Sequence, residues 1–443
     1  MDLLIAFCLF LLCMGASLVL DVTMLAPLAA GFVLFSAVAV RRGFSVKKVL
    51  TLAAESLKES FIVIGILLLI GCLTGMWRLS GTVAYFVTLG VSVIPPQLFL
   101  LAAFLLAAAM SYALGTSFGV TATAGVILMS IARVGGVDPV LAAGAVLSGV
   151  YVGDRGSPAA SSANLVAVLT HTDMRENVRK MLRCSLVPFL ACCVLYGGLS
   201  VLTRMDAVDS AILDRLGAEF KLRWLCLIPA VLMIALPFCR LSIRWSMAVS
   251  LTAAAAVAIF VQGSSVSDCL HAMVLGYDAA DAELAGMISG GGVVSMLEVC
   301  GILLISCSYG SIFRGTGLLE GVNRAVSRTA ARIGRFPVML LLAVGTSALF
   351  CNQTISAIMQ SNLSDSLYGE DERGVKMLDM ENSVIVLAGL VPWCIACSVP
   401  LTMMGADARS VPLAFYLWLI PLWWLIRGRS KKIPEGTCKS GKK

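Results

Sequence analysis

The chain has 443 residues, 59% hydrophobic and only 13% charged, with a mean hydropathy of +0.93 and a formal net charge of +7. Water-soluble domains carry roughly 25% charged residues, so that class is excluded. The basic residues sit in short loops beside apolar runs, where the positive-inside rule accounts for them better than a nucleic-acid partner does.

Apolar runs of span length recur along the chain without period-2 alternation, so the spans are helices rather than barrel strands. The first run, LLIAFCLFLLCMGASLVL, has no basic leader region and no small-residue cleavage site; it reads as a retained helix followed by a second span. The amphipathic segment SVKKVLTLAAESLKES comes next, either along the cytoplasmic interface or as the foot of a long tilted span. Beyond LIGCLTGMWRLSGT and GTSFGVTAT lies the run PVLAAGAVLSGVYV, which leads into GDRGSPAASSAN at 153–164. The first half closes with the linker RMDAVDSAILDRLGAEFK.

Two further spans open the second half, followed by SSVSDCLHAMVLGYDAAD and the triplet Gly290-Gly291-Gly292. No lysine follows the triplet at P-loop spacing, so it reads as a flexible lead into a span. Then come LISCSYGSIFRGT, CNQTISAIMQSN from Cys351, and DMENSVIVLAGLVPW from Asp379. Cys394 and Cys397 form the single CxxC among 15 scattered cysteines and read as small packing residues. Trp418, Trp423 and Trp424 read as an interfacial belt ahead of a basic tail.

These landmarks pair off. GMWRLSGT is echoed by GSIFRGT, GTSFGVTAT falls opposite NQTISAIMQ, and Ser157-Pro158 falls opposite Val391-Pro392, all at an offset of roughly 220 to 238 residues. Arg41, Arg42, Lys47 and Lys48 follow the second span, whereas Asp268, Asp278, Asp281 and Glu283 follow its counterpart, which places equivalent loops on opposite sides. The expected organisation is a first transmembrane repeat at 1–204, an extracytoplasmic linker at 205–221, an inverted second repeat at 222–427 and a basic cytoplasmic tail at 428–443, with both termini inside. Inverted repeats that alternate access around a midplane site are an architecture of secondary transporters.

GDRGSPAASSAN explains itself in that frame. Gly156 and Pro158 interrupt the helix, and Ser157 is the expected N-cap of a following helix with Pro158 at its first position. Broken backbone at membrane depth is tolerated where it lines a cavity, and freed carbonyls there coordinate cations. Asp154 at such a break costs about 2.5–3.5 kcal/mol to insert, so something must offset it; an all-oxygen site for a hard cation such as Na+ is the reading, with Ser157, Ser161, Ser162 and Asn164 as further donors. Arg155 is expected to pair elsewhere, since adjacent helical residues do not face one another. Thr116 and Ser117 in the first half, and Asn352, Gln353, Thr354, Ser356, Glu381, Asn382 and Ser383 in the second, complete the candidate set.

GMWRLSGT, GTSFGVT, GDRGSPAASSAN, NQTISAI and MENSVIVLAGLVPW resemble the NhaC-type sodium/proton antiporters of the ion transporter superfamily over nearly the whole chain. The resemblance implies a multi-pass exchanger of the bacterial inner membrane that moves Na+ or Li+ against protons by alternating access, with no cofactor and with relatives that exchange organic acids. Homodimers are common among such exchangers. Two positions depart from the pattern: Asn352 stands where such proteins commonly carry Asp, and Asn382 follows Glu381 where they commonly carry Glu-Asp. Loss of two carboxylates keeps a second reading open, an organic-acid or amino-acid exchanger of the same superfamily. An intramembrane enzyme using Ser157 or Ser161 as nucleophile would need a nearby base, and the only two histidines, His171 and His271, lie outside the apolar spans.

Overall fold

The structure, a computed structural model, describes residues 2–427 except Asp21, 204–209, Arg240 and 317–321. The basic tail, the first part of the linker and Arg240 therefore lie outside the described residues. Everything described is helix, turn or loop, apart from one isolated antiparallel bridge between Tyr277 and Gly290. This is the all-α polytopic membrane class read from composition.

Among the described residues, five helices are long and apolar enough to cross a membrane alone: Pro96–Leu114, Ser117–Val134, Met174–Leu202, Ile243–Gln262 and Val293–Phe313. Three helix pairs pass the same test of length and composition only when taken together across a bend. Val63–Leu79 turns by 67° into Thr82–Val93, Ile212–Glu219 by 92° into Trp224–Pro237, and Glu370–Leu390 by 49° into Ile395–Met404. Helix Met174–Leu202 shows what the outer surface meets. Leu182, Leu186, Leu190 and Val194 recur every fourth residue and are all exposed, a stripe that suits hydrocarbon and would be a liability in water.

The amphipathic segment after the second span is the foot of a single 34-residue helix, Val46–Leu79, the second of its two readings. Its sequence contains no glycine or proline before Gly65 to stop the helix. Its counterpart is built differently. Helix Val266–Val274 starts at a capping box formed by Ser265 and Asp268 and ends before Gly276, whose φ of +104° only glycine adopts readily. The Asp268 carboxylate accepts from the Ser265 backbone and hydroxyl, which hold it below the usual carboxylate range.

The glycine triplet refines its sequence reading. Gly290, Gly291 and Gly292 all have positive φ and lead into the span Val293–Phe313 as read, but Gly291 and Gly292 are packed closely against their surroundings. Gly292 N–H donates to Gly71 O at 2.9 Å, while Gly290 and Tyr277 exchange backbone hydrogen bonds at 2.8 and 3.0 Å. A methyl group at Gly291 would press on Gly75, and one at Gly75 would overlap the Ala272 carbonyl. Trp77, two residues on, is 1% exposed and donates from Nε1 to the Ser250 hydroxyl at 3.0 Å; that hydroxyl donates to Pro229 O at 2.6 Å. Helix Val46–Leu79 is thus pinned to the second half along its inner face.

Gly75→Ala is expected to lower the thermal midpoint of the purified protein, by the ~1–3 kcal/mol typical of overpacking. Gly65→Ala, on the same helix with nothing within 4 Å of the added methyl, should leave the midpoint unchanged or raise it. Equal melting of the two variants would show that the crossing yields.

Candidate functional site

Helices Phe99–Leu114 and Pro139–Gly156 approach so closely because Gly149 and Gly153 lie one turn apart on the facing side, a small-xxx-small contact. A methyl group at Gly149 would fall 2.6 Å from Phe104 O, and one at Gly153 would overlap the Ser111 carbonyl. Ser111 Oγ donates across the contact to Val150 O. Asp154 follows directly, 5% exposed, and the helix stops two residues later.

The break runs over 157–160, where Gly156 and Pro158 had marked it, but its inside differs from the expectation. Ser157 Oγ accepts from Ala159 N at 3.1 Å, and Ala160 N closes a turn on Ser157 O, so the chain makes one isolated turn. Ala160 then becomes extended, and the next helix, Ser161–Thr170, starts three residues later than the Ser157 cap predicted and has no side-chain cap. Asn164 Nδ2 donates to Pro158 O and Ala160 O, closing the turn from outside.

Two other breaks meet this one. Helix Phe99–Leu114 ends at Gly115 (φ +67°) and restarts after Thr116 in extended conformation (φ −148°, ψ 125°). Helix Arg335–Phe350 ends at Cys351 (φ +51°) and restarts after Asn352 (φ −142°, ψ 121°). Thr116 caps with its hydroxyl on Gly119 N at 3.3 Å, and Asn352 with its amide oxygen on Thr354 N and Ile355 N at 2.9 and 3.2 Å. The two junctions share one local design. A cap needs an oxygen acceptor and no net charge, so Asn serves at 352 as Asp would.

Asp154 is held from both directions. Gln353 Nε2 donates to Asp154 Oδ2 at 3.2 Å and to Ile385 O at 2.8 Å. The backbone N–H and hydroxyl of Ser117, at the start of Ser117–Val134, face the same carboxylate. Negative charge is favoured at a helix N-terminus. Ser162 Oγ donates to the backbone carbonyl of Asp154 at 2.5 Å, which ties the two sides of the 157–160 break together.

Arg155 turns away from Asp154, as adjacent positions on a helix require. It is fully buried, and Nη2 donates to Asn382 Oδ1 at 2.5 Å. Tyr416 and Cys184 lie beside the guanidinium, while Nε and Nη1 have no hydrogen-bond partner. Glu381 is 1% exposed, and neither of its oxygens has a hydrogen-bond partner. It lies within electrostatic reach of both Arg155 and Asp154. Asn382 and Ser383 interrupt the chain here, between helix Arg373–Glu381 and the short turn Val384–Leu387.

The predicted residues therefore divide. Asp154, Ser117, Ser162 and Gln353 converge, with Arg155, Glu381 and Asn382 as a second group beside them. Ser161, Asn164 and Thr354 are exposed and point away. Thr116, Asn352, Ser157 and Ser356 serve local backbone, Ser356 by donating to Asn352 O at 2.7 Å. Ser383 donates to Asp379 O and accepts from Gln360 Nε2 at 3.0 Å. Tyr416, Cys184 and Gln360 were not read from the sequence, where each is one more residue of an apolar or polar run. Trp424 donates from Nε1 to the buried Asp379 carboxylate at 2.6 Å. Cys394 and Cys397 are fully buried thiols. Among the described residues no three His, Cys, Asp or Glu side chains converge.

The family model described as "Na+/H+ antiporter family" matches residues 149–427, which include this whole group except Ser117. The malate-2H(+)/Na(+)-lactate antiporter of Bacillus subtilis is 28% identical over 370 residues, 80% of this chain and 78% of its own. The Na(+)/H(+) antiporter NhaC of Alkalihalophilus pseudofirmus is 26% identical over 387 residues, 84% of this chain and 83% of its own. The arginine/ornithine antiporter ArcD of Halobacterium salinarum is 25% identical over 365 residues, 80% and 74% of the two chains.

Asn382→Ala is expected to lower the thermal midpoint by the equivalent of about 1–3 kcal/mol, the cost of removing a hydrogen bond to a buried charged group. Ser161→Ala, at an exposed position, should melt with the wild type. A wild-type melt for Asn382→Ala would mean that Arg155 is held by its other neighbours.

Proposed function

Because this chain belongs to the Na+/H+ antiporter family and so is a multi-pass secondary antiporter, we propose that Na+ (or Li+) and protons compete for the Asp154 centre. Asp154 is the cation-binding carboxylate in this reading, with Ser117, Ser162 and Gln353 as its supporting oxygens and hydrogen bonds, and Glu381 is the second titrating group. The observation that carries it is the pairing of two buried carboxylates, one held by donors from both halves of the chain and one with no hydrogen-bond partner at all. A carboxylate withdrawn from water must be compensated by a cation, by donors or by a proton, and exchange is the alternation of the first and the last.

Alternating access is the movement assigned to the halves 1–204 and 222–427. The shared geometry of the Gly115–Thr116 and Cys351–Asn352 junctions supports treating them as repeats. The loop charges support inverted topology, with both termini on the cytoplasmic side of a bacterial plasma membrane and 205–221 outside.

A second reading has its own observation. Arg155, with two unpartnered nitrogens and with Asn382 in place of an acid, is suited to a carboxylate cargo. The printed names of two relatives, a malate/lactate antiporter and an arginine/ornithine antiporter, make organic-acid or amino-acid exchange the alternative within the family.

Exchange in everted vesicles, followed with a pH-sensitive dye, separates the two. Sodium or lithium should dequench the dye with wild type and fail to do so with Asp154→Asn at equal expression. Full exchange by that variant would overturn the assignment of Asp154. Silence with cations together with a response to malate, lactate or arginine would put the second reading in its place.

A further inference from the structure

A second charged cavity lies apart from the Asp154 group. It has a volume of about 420 Å³ and is bounded by Thr74 and Arg78, by Arg133 at the end of Ser117–Val134, by the Gly286–Gly291 stretch (286–291), and by Thr402 and Met403 at the end of Ile395–Met404. None of the Asp154 group lines it. Arg78 is 6% exposed; Nη1 donates to Thr74 O at 3.1 Å, and Nε has no hydrogen-bond partner. Arg133 Nη2 donates to Met404 O and Gly405 O at 2.7 and 2.9 Å. The two guanidinium groups lie within electrostatic reach of one another.

Among the described residues, no aspartate or glutamate lines this cavity. Three carboxylates on the neighbouring segments are engaged elsewhere. Asp281 and Glu283 pair with Arg215 at 3.0 and 3.2 Å, and Asp407 pairs with Arg409. Arg215 and the backbone N–H of Glu283 hold Asp281 below the usual carboxylate range, with the backbone bond the larger cause. Two like charges thus face a partly enclosed space, one of them buried and with an unpartnered donor, and an anion between them would offset the cost of that burial. Ser289, Ser295 and Thr402 line the same space. A guanidinium fork matches a planar carboxylate in two parallel hydrogen bonds, and the volume falls within the range of small-molecule sites.

We propose that the Arg78–Arg133 cavity is a binding site for a small organic carboxylate, separate from the Asp154 centre. The bound anion bridges the two guanidinium groups and so fastens the end of Ile395–Met404 to the Val46–Leu79 helix. The proposal does not rest on the identity of the transported cargo.

The test uses the full-length purified chain in detergent, titrated with lactate and with malate as N-methylglucamine salts, against chloride and phosphate at equal ionic strength, by calorimetry and thermal shift. Saturable binding of at least one carboxylate is expected, with little response to chloride or phosphate. Arg78→Gln and Arg133→Gln should each weaken it at least about tenfold, equivalent to about 1.4 kcal/mol, and Asp154→Asn should not change it. If Arg78→Gln does not fold, the half-exposed Arg133 carries the comparison. Absence of saturable carboxylate binding by folded wild type, equal binding of chloride or phosphate, or wild-type affinity in a folded arginine variant would each overturn the proposal. Loss of binding in Asp154→Asn would overturn it too, by assigning the anion to the transport centre, whereas loss of exchange alone in that variant leaves it standing.

Discussion

A charge removed from water has to be met by something, and the interior of this protein is arranged around three charges that are met to different degrees. Asp154 is met most fully, by Gln353 and by the start of a helix at Ser117. Arg155 is met at one nitrogen by Asn382, with Tyr416 and Glu381 beside it. Glu381 is met by no hydrogen bond at all. Continuous helices cannot provide such partners, because their backbone groups are spent on one another. The interruptions at 115–116, 157–160, 351–352 and 382–383 release N–H and C=O groups at the depth where the charges lie.

Broken helices would be a weakness if they stood alone, and here each leans on another. Ile395 N–H, just past the 391–394 break, donates to Cys351 O at 2.8 Å. Trp393 Nε1 donates to Ala348 O at 2.9 Å, one turn before the same junction. Tyr151, fully buried on the Asp154 helix, donates to Ala396 O at 2.7 Å and fills the space that Gly389 leaves open. The Asp154 helix, the Gln353 junction and the Pro392 break therefore form one connected frame. Each irregular segment supplies the acceptor that another needs.

The sequence disclosed the parts of this frame that follow from local chemistry. Span positions, the breaks beside Gly156-Pro158 and Pro392, and the divergence of Arg155 from Asp154 follow from hydropathy, proline geometry and helix periodicity. Where the next helix resumes did not: Ser157 has the extended backbone of a cap, but its hydroxyl and carbonyl are taken by a single turn closing at Ala160. The close packing of the glycine triplet was not legible because three consecutive glycines look alike as a hinge and as a crossing, and only the facing Gly71 and Gly75 distinguish them. Tyr416, Gln360 and the Arg78–Arg133 pair were illegible because their meaning depends on partners far away in sequence. Of the candidate hydroxyls, those with a near backbone acceptor took it, and only Ser117 and Ser162 reached Asp154.

The helix Val46–Leu79 is out of proportion to its surroundings. Thirty-four residues extend for about 51 Å, against about 30 Å of hydrocarbon, so the helix must lean steeply or stand well clear of the acyl chains at its lysine-bearing end. Its other end is the part wedged at Gly71 and Gly75 against the second half, with Arg78 one turn beyond. The close approach at Gly71 and Gly75 therefore fixes the direction in which the remaining length of the helix extends.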